Sequence, residues 1–182
     1  MVTTQATWSS SSVSVATVTG AGVVTSVGAG EADIFASYQG VTGRIRIAVL
    51  ASYSATWTGT VLYSNCTESA GFGICGSLLS SSFTATFAQS GSSVTGTMRV
   101  GTLSGNVSGS VDSSGRLTLA DTSFTIVLPF GTGTHRISGW TASQTSASQM
   151  TVSYTTIITI PAGTPGQGQA VLNARITGAT KS

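Results

Sequence analysis

Charge is what this sequence has least of. Of its 182 residues, 7 are Lys or Arg, 5 are Asp or Glu and 1 is His. A net charge of +2 with no run of basic residues excludes the electrostatic footprint that nucleic-acid binding requires. The same scarcity excludes a coiled coil, whose flanking positions are charged, and a disordered polyelectrolyte. No stretch approaches the ~18 apolar residues of a membrane helix. One of the denser apolar runs, Thr155–Ala162, has the length of a strand and is ended by Pro161. The opening MVTTQATWSS has neither a charged n-region nor an apolar h-region, so no export signal lies within it.

What remains is largely Ser, Thr and Gly (23 glycines against 3 prolines), with hydrophobic residues at 40%. Water is therefore met by hydroxyls and amides. Apolar residues recur at every second position and nowhere at a sustained 3.6-residue period, so the chain reads as all-β, with short antiparallel strands and tight turns.

Residues 1–50 form one unit. Ala32, Ile34, Ala36 and Tyr38 alternate with Asp33, Phe35 and Ser37; Ile45, Ile47 and Val49 alternate with Arg44, Arg46 and Ala48. The string Trp8-Ser9-Ser10, Val15-Ala16-Thr17-Val18, Gly22-Val23-Val24-Thr25 and Val27-Gly28-Ala29-Gly30, followed by the Ala32–Tyr38 and Ile45–Val49 segments, resembles the C-terminal part of a group 2 bacterial immunoglobulin-like domain. Members of that family begin with about two further strands. The resemblance thus implies a β-sandwich whose first strands are missing, with a poorly covered sheet and an unpaired edge. On this reading Met1 is a start inside a longer protein.

Residues 51–182 have a different rhythm. Nine candidate strands are Ser52–Tyr63, Ser82–Gln89, Ser93–Val100, Leu103–Asp112, Arg116–Ala120, Ser123–Phe130, Arg136–Thr145, Gln149–Ile160 and Gly168–Thr177. Glycines 59, 96, 105 and 109 share the apolar phase of their strands, which suits sharply coiled strands or the close approach of a ligand. Sequential strands with short connections predict an antiparallel up-and-down β-barrel of about eight strands. The longest connection, Tyr63–Leu78, carries Cys66 and Cys75 and belongs at one mouth. Trp57-Thr58-Gly59-Thr60, the Gln89–Met98 hairpin and the Leu103–Leu119 meander resemble the small lipocalin-like and avidin-like barrels, the calycin type. That resemblance implies a first-strand Trp, here Trp57, against a basic residue of the last strand. Arg175 is the candidate, in the outward phase of its strand. The aligned Trp, Asn, Ser and Asp set of biotin binders is not reproduced, and biotin binding is not expected.

Chemistry is scarce. No Gly-x-Ser-x-Gly elbow, phosphate loop or dinucleotide fingerprint occurs. His135, next to Arg136, reads as a surface loop histidine rather than a general base. Glu31, Asp33, Glu68, Asp112 and Asp121 supply no convincing catalytic pair, and Asp112 reads as turn chemistry. Glu31 and Asp33 share one strand face; calcium or plain solvation accounts for them. Neither a metal nor a cofactor is expected. Cys66 and Cys75 read best as a disulfide, with two free thiols as the alternative. Asn65-Cys66-Thr67 and Asn106-Val107-Ser108 match the glycosylation sequon, a pattern common by chance.

The aromatic residues either line a cavity or fill the barrel, and filling is the better account. Trp57, Tyr63, Trp140 and Tyr154 are the candidate ligand contacts. The expectation is a non-enzymatic extracellular recognition or adhesion module of a bacterial surface or secreted protein. The alternative is a carrier of a small hydrophobic ligand inside the barrel. Partners would be such a ligand, a glycan or a surface protein, with no nucleic acid and no membrane span. An outer-membrane barrel is disfavoured by the lack of aromatic girdles.

Overall fold

A computed structural model describes residues 5–77, 79–128 and 131–182. It is all-β, with no helix among the described residues. The chain separates into two compact units. One holds the residues through Ser52 with Val111–Gly115; the other holds Tyr53–Ser110 and Arg116–Ser182.

In the first unit, β1 (Thr7–Ser10), β4 (Gly30–Tyr38) and β5 (Val41–Val49) form a sheet in the order β1-β4-β5. β2 (Ala16–Val18) and β3 (Val24–Ser26) form a separate two-stranded sheet. Period-two patterning places Ala32 and Ile34 inward, where they join Val15 and Ala16 in a small core edged by Trp8, Val18, Ile47 and Val49. The opposite face of β4 carries Glu31 and Asp33 toward arginines. Asp33 Oδ1 accepts from Arg46 Nε at 3.0 Å, and Glu31 Oε2 lies 3.7 Å from Arg46. The hydrogen bond from Arg46 is the main cause holding the Asp33 carboxyl below its ordinary range. These two carboxylates are thus engaged as ion pairs across β4 and β5.

The second unit is a closed antiparallel barrel. β6 (Ala55–Glu68), β7 (Ser80–Ser90), β8 (Ser93–Val100), β9 (Leu103–Val111) and β10 (Arg116–Leu119) run as a meander. β12 (Gly131–Ser146), β13 (Gln149–Ile160) and β14 (Gly168–Lys181) continue it, with β14 pairing β6 and β10 pairing β12, so eight strands close. β11 (Thr122–Leu128) adds a hairpin arm to β12. All nine expected strands are present, β8 and β13 with the expected bounds and the others with shifted ends. β6 runs past Tyr63 to Glu68, placing Cys66 on a strand, and β12 and β14 are longer than their apolar phases alone suggested. Leu78, Pro129 and Phe130, at the ends of expected segments, lie outside the described residues.

Turn residues set the registers. The β8–β9 hairpin turns on Gly101 (φ 59°) and Thr102, with glycine at the first central position as a type II′ turn requires. Asp112 Oδ1 accepts from Ser114 N–H at 2.9 Å in the β9–β10 turn, as the Asp-Ser-Ser-Gly sequence implies.

Two glycines show why the interior phase needs them. A Cβ on Gly96 would lie 2.0 Å from the Thr86 carbonyl oxygen, and one on Gly109 would lie 2.0 Å from that of Thr118. The strands coil so tightly there that backbone occupies the side-chain position. The rest of the interior is packed. Trp57, Trp140, Tyr53, Phe83 and Met98 are all fully buried, and each large apolar side chain contributes ~1.5–3 kcal/mol by leaving water.

Both barrel ends are filled. At one, Tyr53 is buried, its hydroxyl donating to the Ala142 carbonyl at 3.2 Å. At the other, Phe72 and Ile74 of the β6–β7 connection pack on Ile158, Ala170 and Leu172. The Cys66–Cys75 disulfide closes that connection. Glu68 reinforces it, its carboxylate accepting from the Ile74 and Cys75 N–H groups at 2.7 and 3.0 Å.

Candidate functional site

The four aromatic candidates separate into two kinds of environment. Tyr63 and Tyr154 both register with Ala174, so they flank it on the interior face of β6, β14 and β13. Trp57 packs instead against Tyr53 (ring centres 6.2 Å apart), and Trp140 meets Phe87 edge-on at 6.1 Å. Trp57, Trp140 and Tyr154 are buried, while Tyr63 is half-buried. Trp57 Nε1–H donates to the Tyr53 carbonyl at 2.9 Å. Trp140 Nε1 and Tyr154 Oη are buried without a hydrogen-bond partner among the described residues. Burial pushes the Tyr154 phenol far above its ordinary range. The neighbouring Tyr63 adds to that push, yet its hydroxyl does not meet hydrogen-bond geometry.

Two expectations are corrected. His135 is not a surface loop residue: it lies on β12 with 5% of its surface exposed, facing inward, because it shares the phase of Gly133 and Ile137. Its Nε2 shares a 2.5 Å hydrogen bond with Thr156 Oγ1, and Phe124 stacks edge-on against its ring. Burial holds its pKa down to about 4. Arg175, the candidate partner of Trp57, pairs between Leu62 and Ser153 and points outward. The basic residue at Trp57 is Lys181, its direct register partner, because β14 continues past the Ile176/Thr180 register shift.

The outer face offers a different kind of site. Outward positions of β7, β8 and β9 form cross-strand rows: Thr86, Thr97 and Asn106 in one, Thr84, Arg99 and Ser104 in the next. These six side chains rim a groove of ≈ 430 Å³. Arg99 is its single charge, held over the β8–β9 turn by donating from Nε to the Gly101 carbonyl at 3.0 Å.

The groove runs on into a cleft of ≈ 450 Å³ between Thr102–Asn106 and Thr122–Thr125. A break in the strand creates that cleft. β10 ends at Leu119 and β11 starts at Thr122, opposite a bulge in β12 between Ser138 and Thr141. Asp121 sits in the break, accepting from Arg136 at 2.6 Å and from the Gly139 N–H at 3.2 Å. The Arg136 bond, then the Gly139 bond, holds its carboxyl below the ordinary range. Beyond the break β11 has β12 as its only strand neighbour among the described residues, and it parts from β9. Phe124 fills the floor, its ring 2.7 Å from where a Cβ on Gly105 would lie.

These groove residues escaped the sequence reading, although a signal existed. Thr95, Thr97 and Arg99 alternate with Val94 and Met98, and Ser104, Asn106 and Ser108 alternate with Val107, so their outward phase was visible. That three strands bring them into one concavity was not.

Among the described residues, no three His, Cys, Asp or Glu side chains cluster as a metal site, and no helix is long and apolar enough to cross a membrane. No family model, no curated protein and no solved structure matches the chain.

Proposed function

We propose that the chain is a non-enzymatic extracellular recognition or adhesion module of a bacterial surface or secreted protein, and that its barrel binds glycans in the outer groove. We read residues 1–50 as the C-terminal part of an immunoglobulin-like spacer and 51–182 as a calycin-type barrel. The pairing of a three-stranded with a two-stranded sheet supports the first assignment. Lys181 over Trp57 supports the second. A disulfide is in keeping with an oxidising compartment.

The observation that carries the glycan reading is the contrast between inside and outside. The interior is packed with large side chains, whereas the groove, floored in part by Met98 and Gly105, carries four hydroxyls, one carboxamide and one guanidinium along its rim. Those groups exchange hydrogen bonds with sugar hydroxyls, and Arg99 adds a charge-assisted donor for a carboxylated sugar.

Binding to an immobilised panel of neutral and carboxylated oligosaccharides tests it. Asn106→Ala and Arg99→Ala should each weaken capture by about tenfold or more, as removal of a central polar contact does. Capture of no glycan, or capture indifferent to both changes, would overturn the groove assignment. Deletion of residues 51–182 should abolish adhesion by the parent protein, and unchanged adhesion would count against the module.

A second reading rests on two interior donors that have no partner among the described residues. Trp140 Nε1–H and Tyr154 O–H suit a small, mostly apolar guest that carries an acceptor. Native mass spectrometry of the whole chain decides it: a released small molecule favours the carrier, and a bare mass favours the outer groove.

A further inference from the structure

The Phe124 ring separates the cleft from a buried imidazole. It lines the cleft on one side and meets His135 edge-on on the other, with ring centres 6.4 Å apart. Little regular structure holds it there. β11 has a strand partner on one side only among the described residues, and the chain enters it through the break at Asp121, opposite the bulge that contains Gly139 (φ 61°). A strand paired on one side opens at lower free energy than strands paired on both.

The surroundings of His135 offer a proton no counter-ion. β13 presents Thr156 and Ile158 to it, β11 presents Phe124, and Gly133 and Ile137 share its phase on β12. β9, across the cleft, carries no titratable residue, and Arg175 of β14 points outward. Tyr154, two positions from Thr156 on the same face, and Tyr63 beyond it are phenols, which offer no anion in acid. Glu68 ends the cross-strand row His135, Ile158, Ala170, Glu68, three strand spacings or ~14 Å away. Its carboxylate is already engaged by the Ile74 and Cys75 N–H groups. Asp121 and Arg136 are exposed and paired with each other. An imidazolium in this place is a buried charge without a partner, and exposure to water is its way out.

We propose that β11 is an acid-released arm: a proton on His135 lifts Phe124 from its seat over Gly105 and opens the cleft into the barrel interior. Water that enters solvates the imidazolium. The motion breaks no pairing on the cleft side, where β11 has no strand neighbour among the described residues. Its consequence for the outer groove rests on the glycan reading above. Ser104, Gly105 and Asn106 line both the groove and the cleft, so release of Phe124 takes the floor from beside them. A glycan seated across both therefore favours the closed arm, and acid favours the open one.

Amide exchange of the full 182-residue chain at pH 7.5, 6 and 5, corrected for the intrinsic pH dependence of exchange, tests the proposal. Residues 122–128 should open more readily than β6 and β7 at every pH. Their opening should rise about thirtyfold from pH 7.5 to 5, as a group moving from a pKa of about 4 to 6.5 on opening requires. His135→Gln should remove that rise. The chain has 1 histidine, so its imidazole resonance titrates by itself, and Phe124→Ala should raise the midpoint from about 4 toward 6.5. Opening of β11 that is flat from pH 7.5 to 5, or equal to that of β6 and β7 throughout, would overturn the arm. A histidine midpoint unmoved by Phe124→Ala would overturn the part given to Phe124. These measurements need no ligand. An oligosaccharide captured by the immobilised panel should slow exchange in residues 122–128; if none is captured while acid still releases β11, the groove reading falls and the arm stands.

Discussion

The Lys181 ammonium stands 5.9 Å over the ring of Trp57. Trp57 is fully buried on β6, Lys181 is exposed on the last strand, and the two are register partners, so the contact fastens the β6–β14 seam at the barrel end that Tyr53 plugs.

Removal of the two partners should therefore cost very different amounts. Lys181→Ala forfeits an exposed cation–π contact worth about 0.5–1 kcal/mol. Trp57→Ala empties a core position and should cost about 3–5 kcal/mol. Urea titration of each single variant and of the double variant measures both. In the double variant the Lys181 effect should vanish, since its partner is gone.

Acid should destabilise the barrel through His135. Its folded pKa, about 4, lies below the ordinary histidine value of 6.5, so the folded state binds the proton less readily than the unfolded state. The stability this contributes is complete above pH 6.5 and is lost as pH falls from 6.5 toward 4, by up to ~3 kcal/mol. Thermal melts between pH 7.5 and 4 read the slope. His135→Gln keeps a polar group beside Thr156 and should flatten the profile in that window. A wild-type profile already flat there would contradict burial of a neutral imidazole.

Reduction should loosen one mouth and spare the other. Opening the Cys66–Cys75 link frees the connection that seats Phe72 and Ile74 on Ile158 and Leu172, at a cost of about 2–3 kcal/mol for a loop of this length. Amide exchange with and without reductant should quicken in residues 69–77 and leave β12 and β13 protected. Uniform loss of protection would show that the connection supports the whole barrel.

Much of this architecture is a consequence of local pattern. Alternation along Gln149–Ile160 alone assigns Met150, Val152, Tyr154, Ile158 and Ile160 to one face, and all five are buried together. Asp112–Gly115 encodes its own turn through the aspartate side chain. Cys66 and Cys75 sit nine positions apart across a glycine-containing segment, within reach of each other. Strand existence, inward phase and turn position depend on neighbours in the chain, and so they can be read from it.

Other features depend on which strands meet. Lys181 rather than Arg175 reaches Trp57 because of a register shift near Gly178, which no short window of sequence reveals. His135 is buried because its strand begins at Gly131, five residues before the apolar phase becomes obvious. The glycines of the inner phase looked alike, yet Gly96 and Gly109 make room for backbone and Gly105 for the Phe124 ring. The groove of Thr84, Thr86, Thr97, Arg99, Ser104 and Asn106 exists only once three strands pair and a fourth turns away. Residue order determined an all-β chain with few charges. Long-range registers, set by bulges and by the break at Asp121, decided which side chains share a surface, because a shift of one residue exchanges the faces of a strand.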